Sequence, residues 1–164
     1  MTVEERLAAL EQRLHRVDDE LAIRRLMASY GPLVDAGDGD AVAGLWTETG
    51  EYDVDGRVMQ GQAGISAMVQ SRAHQGMIGA GAAHFLGPVC VHLDGDRAIA
   101  VCESIVVRHN EDGGGYQVWR AGANHVTLQR TDAGWRIVSR LTRALDGSQQ
   151  ARDLLAAGAT GRPA

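Results

Sequence analysis

Leucine and valine recur near the start of the chain at alternating steps of three and four, at Leu7, Leu10, Leu14, Val17 and Leu21. That repeat lays one apolar stripe along a helix and predicts helix over residues 1–36. Such a seam serves as core or as the contact for a partner helix; it is too short to demand a long coiled coil, but its first turns are free to lie on another subunit. After Leu21 the apolar set drifts to Ile23, Leu26, Met27, Tyr30, Leu33 and Val34. Pro32 predicts a kink or a join between two segments, and Gly37 a C-terminal stop. Asp38 or Asp40 can cap a short helix in "AVAGLW".

From residue 48 the periodicity changes. "TGEYDVDGRVMQG" is turn-rich and reads as a short strand or hairpin, and "QAGISAMVQSRAHQ" as an amphipathic helix with Ile65, Met68 and Val69 inward. "GMIGAGAA" reads as a flexible connection or pocket lid, because it lacks the lysine and the strand-then-helix setting of a phosphate cradle. Four strands follow over 83–93, 97–109, 116–131 and 134–145, divided by the turns "DGD", "NEDGGG" and "TDAG". Trp119, Trp135 and Val138 give that sheet bulk, and "SQQARDLLAAG" adds a last helix. Helices followed by an antiparallel meander predict an α+β domain, a curved sheet wrapped by helices into a cone with a cavity at its open end. One domain over 1–164 is expected, with a helical extension at 1–15 and a C-terminal helix and frayed tail at 147–164.

Composition narrows the function. A chain of 164 residues, 45% hydrophobic, suits a single domain with a real core. A net charge of −5 with no basic stripe argues against nucleic-acid or anionic-membrane partners. No apolar stretch approaches the roughly 20 residues of a membrane span, and the charged N-terminus is unlike a signal peptide, so a cytoplasmic protein is expected. All 16 basic residues are arginine, which rules out a side-chain Schiff base. Cys90 and Cys102 lack the paired spacing of a zinc or redox site and read as two buried small hydrophobes. The six histidines show no close metal-ligand spacing, and no G-x-S-x-G elbow is present. Neither a metal nor a cofactor is expected.

Three residues carry candidate chemistry. Asp35 falls at a helix C-terminus, where a carboxylate loses roughly 0.3–1 kcal/mol to the helix dipole; an apolar cavity would strengthen it further as a base. Alternatively it faces water in a polar turn. Tyr30 lies five residues earlier, about 140° round an ideal helix, so the two converge only at a kink or helix end. His84 opens the first long strand beside Phe85 and Leu86 and can exchange protons near neutral pH. His15, His74, His92 and His109 read as surface or turn residues, and His125 as a reserve candidate on either sheet face. Glu103, in the apolar run "AIAVCESIVV", must be paired, with Arg120 or Arg140, or take part in the chemistry. Asn124 and Arg143 can orient a substrate carbonyl or carboxylate.

These segments resemble the nuclear transport factor 2-like superfamily, in the branch holding polyketide cyclases, scytalone dehydratase and bile acid 7α-dehydratase. The likeness runs through "MTVEERLAALEQRL", "AIRRLMASYGPLVDAGDGD", "AHFLG" and "GWRIVSRLTR". It implies a cystatin-like α+β barrel whose cavity is lined by a tyrosine, an aspartate and a histidine, at Tyr30, Asp35 and His84. It also implies a cofactor-independent lyase or isomerase acting on a hydrophobic carbonyl compound such as a steroid, polyketide or terpenoid intermediate. In that reading Trp46, Tyr52, Met59, Met68 and Leu86 form the apolar wall. The alternatives are a non-catalytic small-molecule binder, or an epoxide hydrolase that recruits Asp35, Glu103 and Asn124. The resemblance further implies a homodimer or homotrimer.

Overall fold

The chain is described over residues 1–164 by a computed structural model. It opens with one continuous helix, α1 (Val3–Asp35), whose N-terminus is closed by a capping box between Thr2 and Glu5. Pro32 does not split this helix. It sits in the last turn, where a single N–H is forgone, and its carbonyl still accepts from the Ala36 amide at 3.0 Å. Gly37, at φ +72°, ends the helix in a left-handed conformation. Asp38 then caps α2 (Gly39–Ala43) by accepting from the Ala41 amide at 3.0 Å.

The hairpin β1 (Trp46–Val54) and β2 (Arg57–Gln60) turns at Asp55 and Gly56. The segment read as a single amphipathic helix is two, α3 (Gly61–Gln70) and α4 (Arg72–Gly79), because Ser71 adopts an extended backbone and caps the second through its hydroxyl. Gly76 and Gly79, expected in a flexible loop, belong to α4. The strand expected at 83–93 is also divided, into β3 (Ala82–Leu86) and β4 (Cys90–Asp94). Pro88 lies in the break, where a residue without an N–H cannot serve a ladder. β5 (Arg97–His109), β6 (Tyr116–Thr131) and β7 (Gly134–Ala144) form the expected meander, followed by α5 (Gln149–Ala159).

The seven strands make one curved, unclosed sheet in the order β2-β1-β7-β6-β5-β3, with β4 also on β5. One pairing departs from the antiparallel expectation: β1 runs parallel to β7. The main core lies between the concave face and α1, α2 and α3, around Ile23, Met27, Trp46, Ile65, Leu128 and Ile137. α5 covers part of the convex face through Ala151 and Leu154. No helix is long and apolar enough to cross a membrane.

Two expected core contributions fail. Trp119 is half exposed, whereas Trp135 is buried. Cys90 is exposed, and only Cys102 is a buried thiol, pushed up to about 11 by desolvation and therefore unreactive.

Candidate active site

The inward side chains of α1, β1 and β7 border a cavity of about 230 Å³. Tyr30, Tyr52, Met59, Met68, His74, His84, Leu86 and Arg140 are among the side chains around it. Its placement depends on one close approach. A Cβ on Gly31 would lie 2.2 Å from the His84 carbonyl oxygen, so only glycine lets α1 press this tightly against β3. Gly31 follows Tyr30 directly and precedes Asp35 by four residues. The helix can therefore turn the phenol into the cavity while its end reaches the β3 backbone.

Asp35 meets His84 twice. Its Oδ1 lies 2.6 Å from His84 Nδ1, and its Oδ2 accepts from the His84 amide at 2.8 Å. The penalty of a carboxylate at a helix C-terminus is thus offset by two N–H donors, and Asp35 is three-quarters buried rather than in an open polar turn. An ionised carboxylate can only accept, so the Nδ1–H of His84 donates and Nε2 carries the lone pair. That Nε2 has no partner within the protein. Burial pushes His84 below the ordinary histidine range; Asp35 opposes the shift, while His74 and Arg140 reinforce it. The ring is thereby held neutral at physiological pH.

Tyr30 is buried at 4% exposure and stands edge-on to Trp46 and Tyr52. Burial pushes its hydroxyl well above the usual phenol value, the neighbouring Tyr52 adds to the shift, and Arg140 partly opposes it. It therefore remains a protonated donor. His74, expected at the surface, is buried beside His84 with ring centroids 5.7 Å apart, and its Nε2 donates to the Val34 carbonyl at 3.2 Å. The restart of the helix at Ser71 turns His74 inward.

Arg140 is the candidate site residue that the strand pattern concealed. It is 2% exposed, and its guanidinium lies 4.2 Å from the Tyr30 ring centre and 4.7 Å from that of Tyr52. Nε and Nη2 donate to Asn124 Oδ1 at 3.2 and 2.8 Å. Nη1 is buried with no partner. No carboxylate pairs with this permanent charge, and a buried unpaired donor is costly unless a ligand supplies the acceptor.

Several residues assigned to substrate contact stand elsewhere. Asn124 is fully buried beneath Arg140, where its Oδ1 also accepts from Thr142 and its Nδ2 donates to Ser104 Oγ at 2.9 Å. Its hydrogen-bonding capacity is used within the protein, so it positions Arg140 instead of touching ligand. Arg143 points out of the opposite face and grips Asp53 at 2.6 and 2.9 Å. Glu103 is exposed on the convex face, and neither expected partner reaches it. Arg120 holds Asp55 at 2.6 Å, and Arg140 holds Asn124. The trio Asp35, Glu103 and Asn124 needed for epoxide hydrolysis is therefore not assembled. Trp46 lies wholly in the core and backs Tyr30 and Tyr52 without reaching the cavity. Tyr52, Met59, Met68 and Leu86 do line it.

Other histidines lie apart from this cavity. His125 faces α5 on the convex side, with Nε2 2.8 Å from the Arg162 carbonyl, so the chain end expected to fray is tied down there. His92 Nε2 likewise meets the Ala159 carbonyl at 3.0 Å. No three His, Cys, Asp or Glu side chains gather in a group able to ligate a metal.

The sequence profile of the SnoaL-like domain matches residues 15–141. Among solved structures, an NTF2-like protein with a cystatin-like fold from Novosphingobium aromaticivorans is 45% identical, with a TM-score of 0.88 over 91% of this chain and 96% of that one. A point variant of Rv3472 from Mycobacterium tuberculosis, described as of unknown function, is 23% identical with a TM-score of 0.71, covering 92% of each chain. Aln2 from a Streptomyces species is 23% identical with a TM-score of 0.68, over 81% of this chain and 96% of that one. The last two share the fold alone. No curated protein matches the chain.

Proposed function

The chain belongs to the SnoaL-like domain family, and on that premise we propose that it is a cofactor-independent acid–base enzyme, a lyase or isomerase that removes a proton α to the carbonyl of a small cyclic hydrophobic compound. The observation that carries this reading is the Asp35–His84 contact at 2.6 Å, which fixes the imidazole tautomer and leaves Nε2 with its lone pair beside the cavity.

Nε2 takes the α proton, and the electron pair of the C–H bond passes to the carbonyl oxygen, giving an enolate. Arg140 Nη1 and the Tyr30 hydroxyl are donors suited to that oxygen, and donors prearranged at a developing charge contribute more than the same groups in water. In a dehydration, the enolate collapses and expels a β-hydroxyl, which leaves as water with the proton held by His84. In an isomerisation, the same proton returns to a different carbon. Both routes conserve atoms and need no oxidant.

The cavity lining bears on the substrate. The apolar wall of Met59, Met68 and Leu86 suits a hydrophobic ring body such as a polyketide, terpenoid or steroid intermediate.

The test is exchange of α-hydrogen for deuterium in heavy water with a bicyclic ketone such as β-tetralone, followed by NMR. Wild-type protein should accelerate exchange, and His84→Ala should abolish the acceleration. Equal rates for the two proteins, with the ketone bound by both, would leave a binding module as the surviving reading.

A further inference from the structure

The N-terminal half of α1 presents an apolar stripe that the protomer does not use. Leu7, Leu10, Leu14, Val17 and Leu21 are 44% to 60% exposed, and Val3 continues the series toward the N-terminus. The first core residue of the helix is Ile23, followed by Met27, Tyr30 and Val34. With 3.6 residues per turn, the exposed stripe is centred roughly 150° round the helix from this core face. The centre of the stripe therefore points away from the core face, and only its edge, at Val17, borders Val91 and Leu93 of β4.

The stripe is an unbroken heptad series, with Leu7, Leu14 and Leu21 at a and Val3, Leu10 and Val17 at d. The flanking charges specify a partner. Positions g are Arg6, Arg13 and Glu20, and positions e are Glu4, Glu11, Asp18 and Arg25. Parallel, in-register packing sets each g against the e five residues on in a neighbouring copy. The resulting pairs are Arg6 with Glu11, Arg13 with Asp18, and Glu20 with Arg25, all of opposite sign. Glu20 lies 2.6 Å from Arg24 of its own helix and can be shared between the two arginines. Antiparallel packing sets e against e and g against g. Glu11 and Arg13 would then meet their own copies and Glu4 would meet Asp18, leaving Arg6 with Glu20 as the pair of opposite sign.

We propose that residues 3–21 form a parallel, in-register coiled coil between copies of this chain, holding the catalytic cones at its C-terminal end. Leucine at a with β-branched valine at two of three d positions favours three or four strands over two. This also accounts for the exposure of α1 on every side over residues 3–18, since most helical stability in proteins comes from packing of an apolar face.

Sedimentation of the full chain should give the mass of three or four chains. Leu10→Glu with Leu14→Glu should give a single chain with an unchanged sheet signal in circular dichroism. Arg13→Glu alone should weaken association at least tenfold, and adding Asp18→Arg should restore it. In a Cys90→Ser background, Leu10→Cys chains should cross-link to one another on mild oxidation. The proposal is overturned by a monomeric wild type, or by a mass unchanged in the double glutamate variant, which would move the interface to another face. It is overturned equally if the charge swap fails to restore association, or if Leu7→Cys chains cross-link preferentially to Val17→Cys chains, the antiparallel result.

Discussion

Arg140 and Arg143 sit three residues apart on one strand and occupy opposite worlds. Arg143 faces outward, its side chain 14% exposed, and holds the Asp53 carboxylate with two hydrogen bonds. Arg140 faces inward, is more deeply buried, and has only a neutral amide oxygen and two aromatic rings for company. A pair completed within the protein serves the fold. A buried cation with a spare donor, aimed at a cavity that also holds a neutral imidazole, is better explained by what it binds. Burial with incomplete satisfaction therefore separates these two arginines more sharply than charge or residue type, and the other buried donor without a partner, Arg120 Nη2, also belongs to a residue that borders the cavity.

The strongest challenge to this contrast is removal of the base. His84→Ala should lower turnover about 10²–10⁴-fold while the fold persists, since general-base catalysis contributes on that scale. Next is Arg140→Met, which removes the spare donor and the buried charge together. Turnover should fall about 10²–10³-fold, as for loss of an oxyanion donor. Thermal stability should hold or rise, because an apolar side chain of similar length replaces a charge that lacks an ionic partner. An Arg140→Met protein that melts early and turns over normally would reverse the assignment of the two arginines. Asp35→Asn should cost less, about 10–10²-fold: its amide nitrogen faces an N–H of His84 where the carboxylate oxygen accepted. The carboxylate raises His84 against the lowering effect of burial. The variant's acid limb should consequently move to lower pH, a shift that structural damage alone would not produce.

Alternation along β7 does not place these two arginines, for a physical reason. Trp135 and Ile137 are buried on the concave side, and strict alternation then points Ser139, Leu141 and Arg143 inward. Leu128 pairs with Ile137 but Thr127 pairs with Ser139, so Val138 is an extra residue in β7. The bulge exchanges the two faces, putting Arg140 and Thr142 inside. Nothing local in "GWRIVSRLTR" marks it. The same limit explains Glu103: an apolar run around an acid suggests burial on both faces, yet the convex face there is left open beyond α5. By contrast β5, β6 and α1 are legible because hairpin turns and heptad spacing bound them. The Asp35–His84 contact spans 49 residues, and only the likeness to a known family pairs them in advance. The sequence signal for that contact is Gly31, whose missing side chain admits β3; read alone it looks like an ordinary helix interruption before Pro32.

The scaffold arginine gives a milder test. Arg143→Met should leave turnover intact and destabilise the protein by about 1–3 kcal/mol, since Asp53 would retain only the Gly56 amide at 2.7 Å as a donor. If this variant loses activity with unchanged stability, the convex face has a part in the chemistry and the contrast between the arginines fails.

The smallest effects are the two pH windows of stability, and they separate the regions without any substrate. Hydrogen bonding by Arg143 holds Asp53 below the usual carboxylate value, against the opposing effect of burial. A depressed acid contributes stability that is present above its unfolded value, near 3.9, and is lost as pH falls through its folded value. His84 is also depressed, chiefly by burial. In its case the unfolded chain takes up a proton from about pH 6.5 downward while the folded chain resists until its lower value is reached. Between those two values the unfolded state binds more protons, so stability declines with falling pH, by at most about 1.4 kcal/mol for each unit crossed. Melting temperature followed from neutral pH downward should therefore show an early decline that His84→Asn removes and Arg143→Met preserves. A later decline in the carboxylate range should be weakened by Arg143→Met and kept by His84→Asn. If both variants flatten the same window, the imidazole and the outer ion pair respond to acid as one unit, and the two faces of the sheet are energetically coupled.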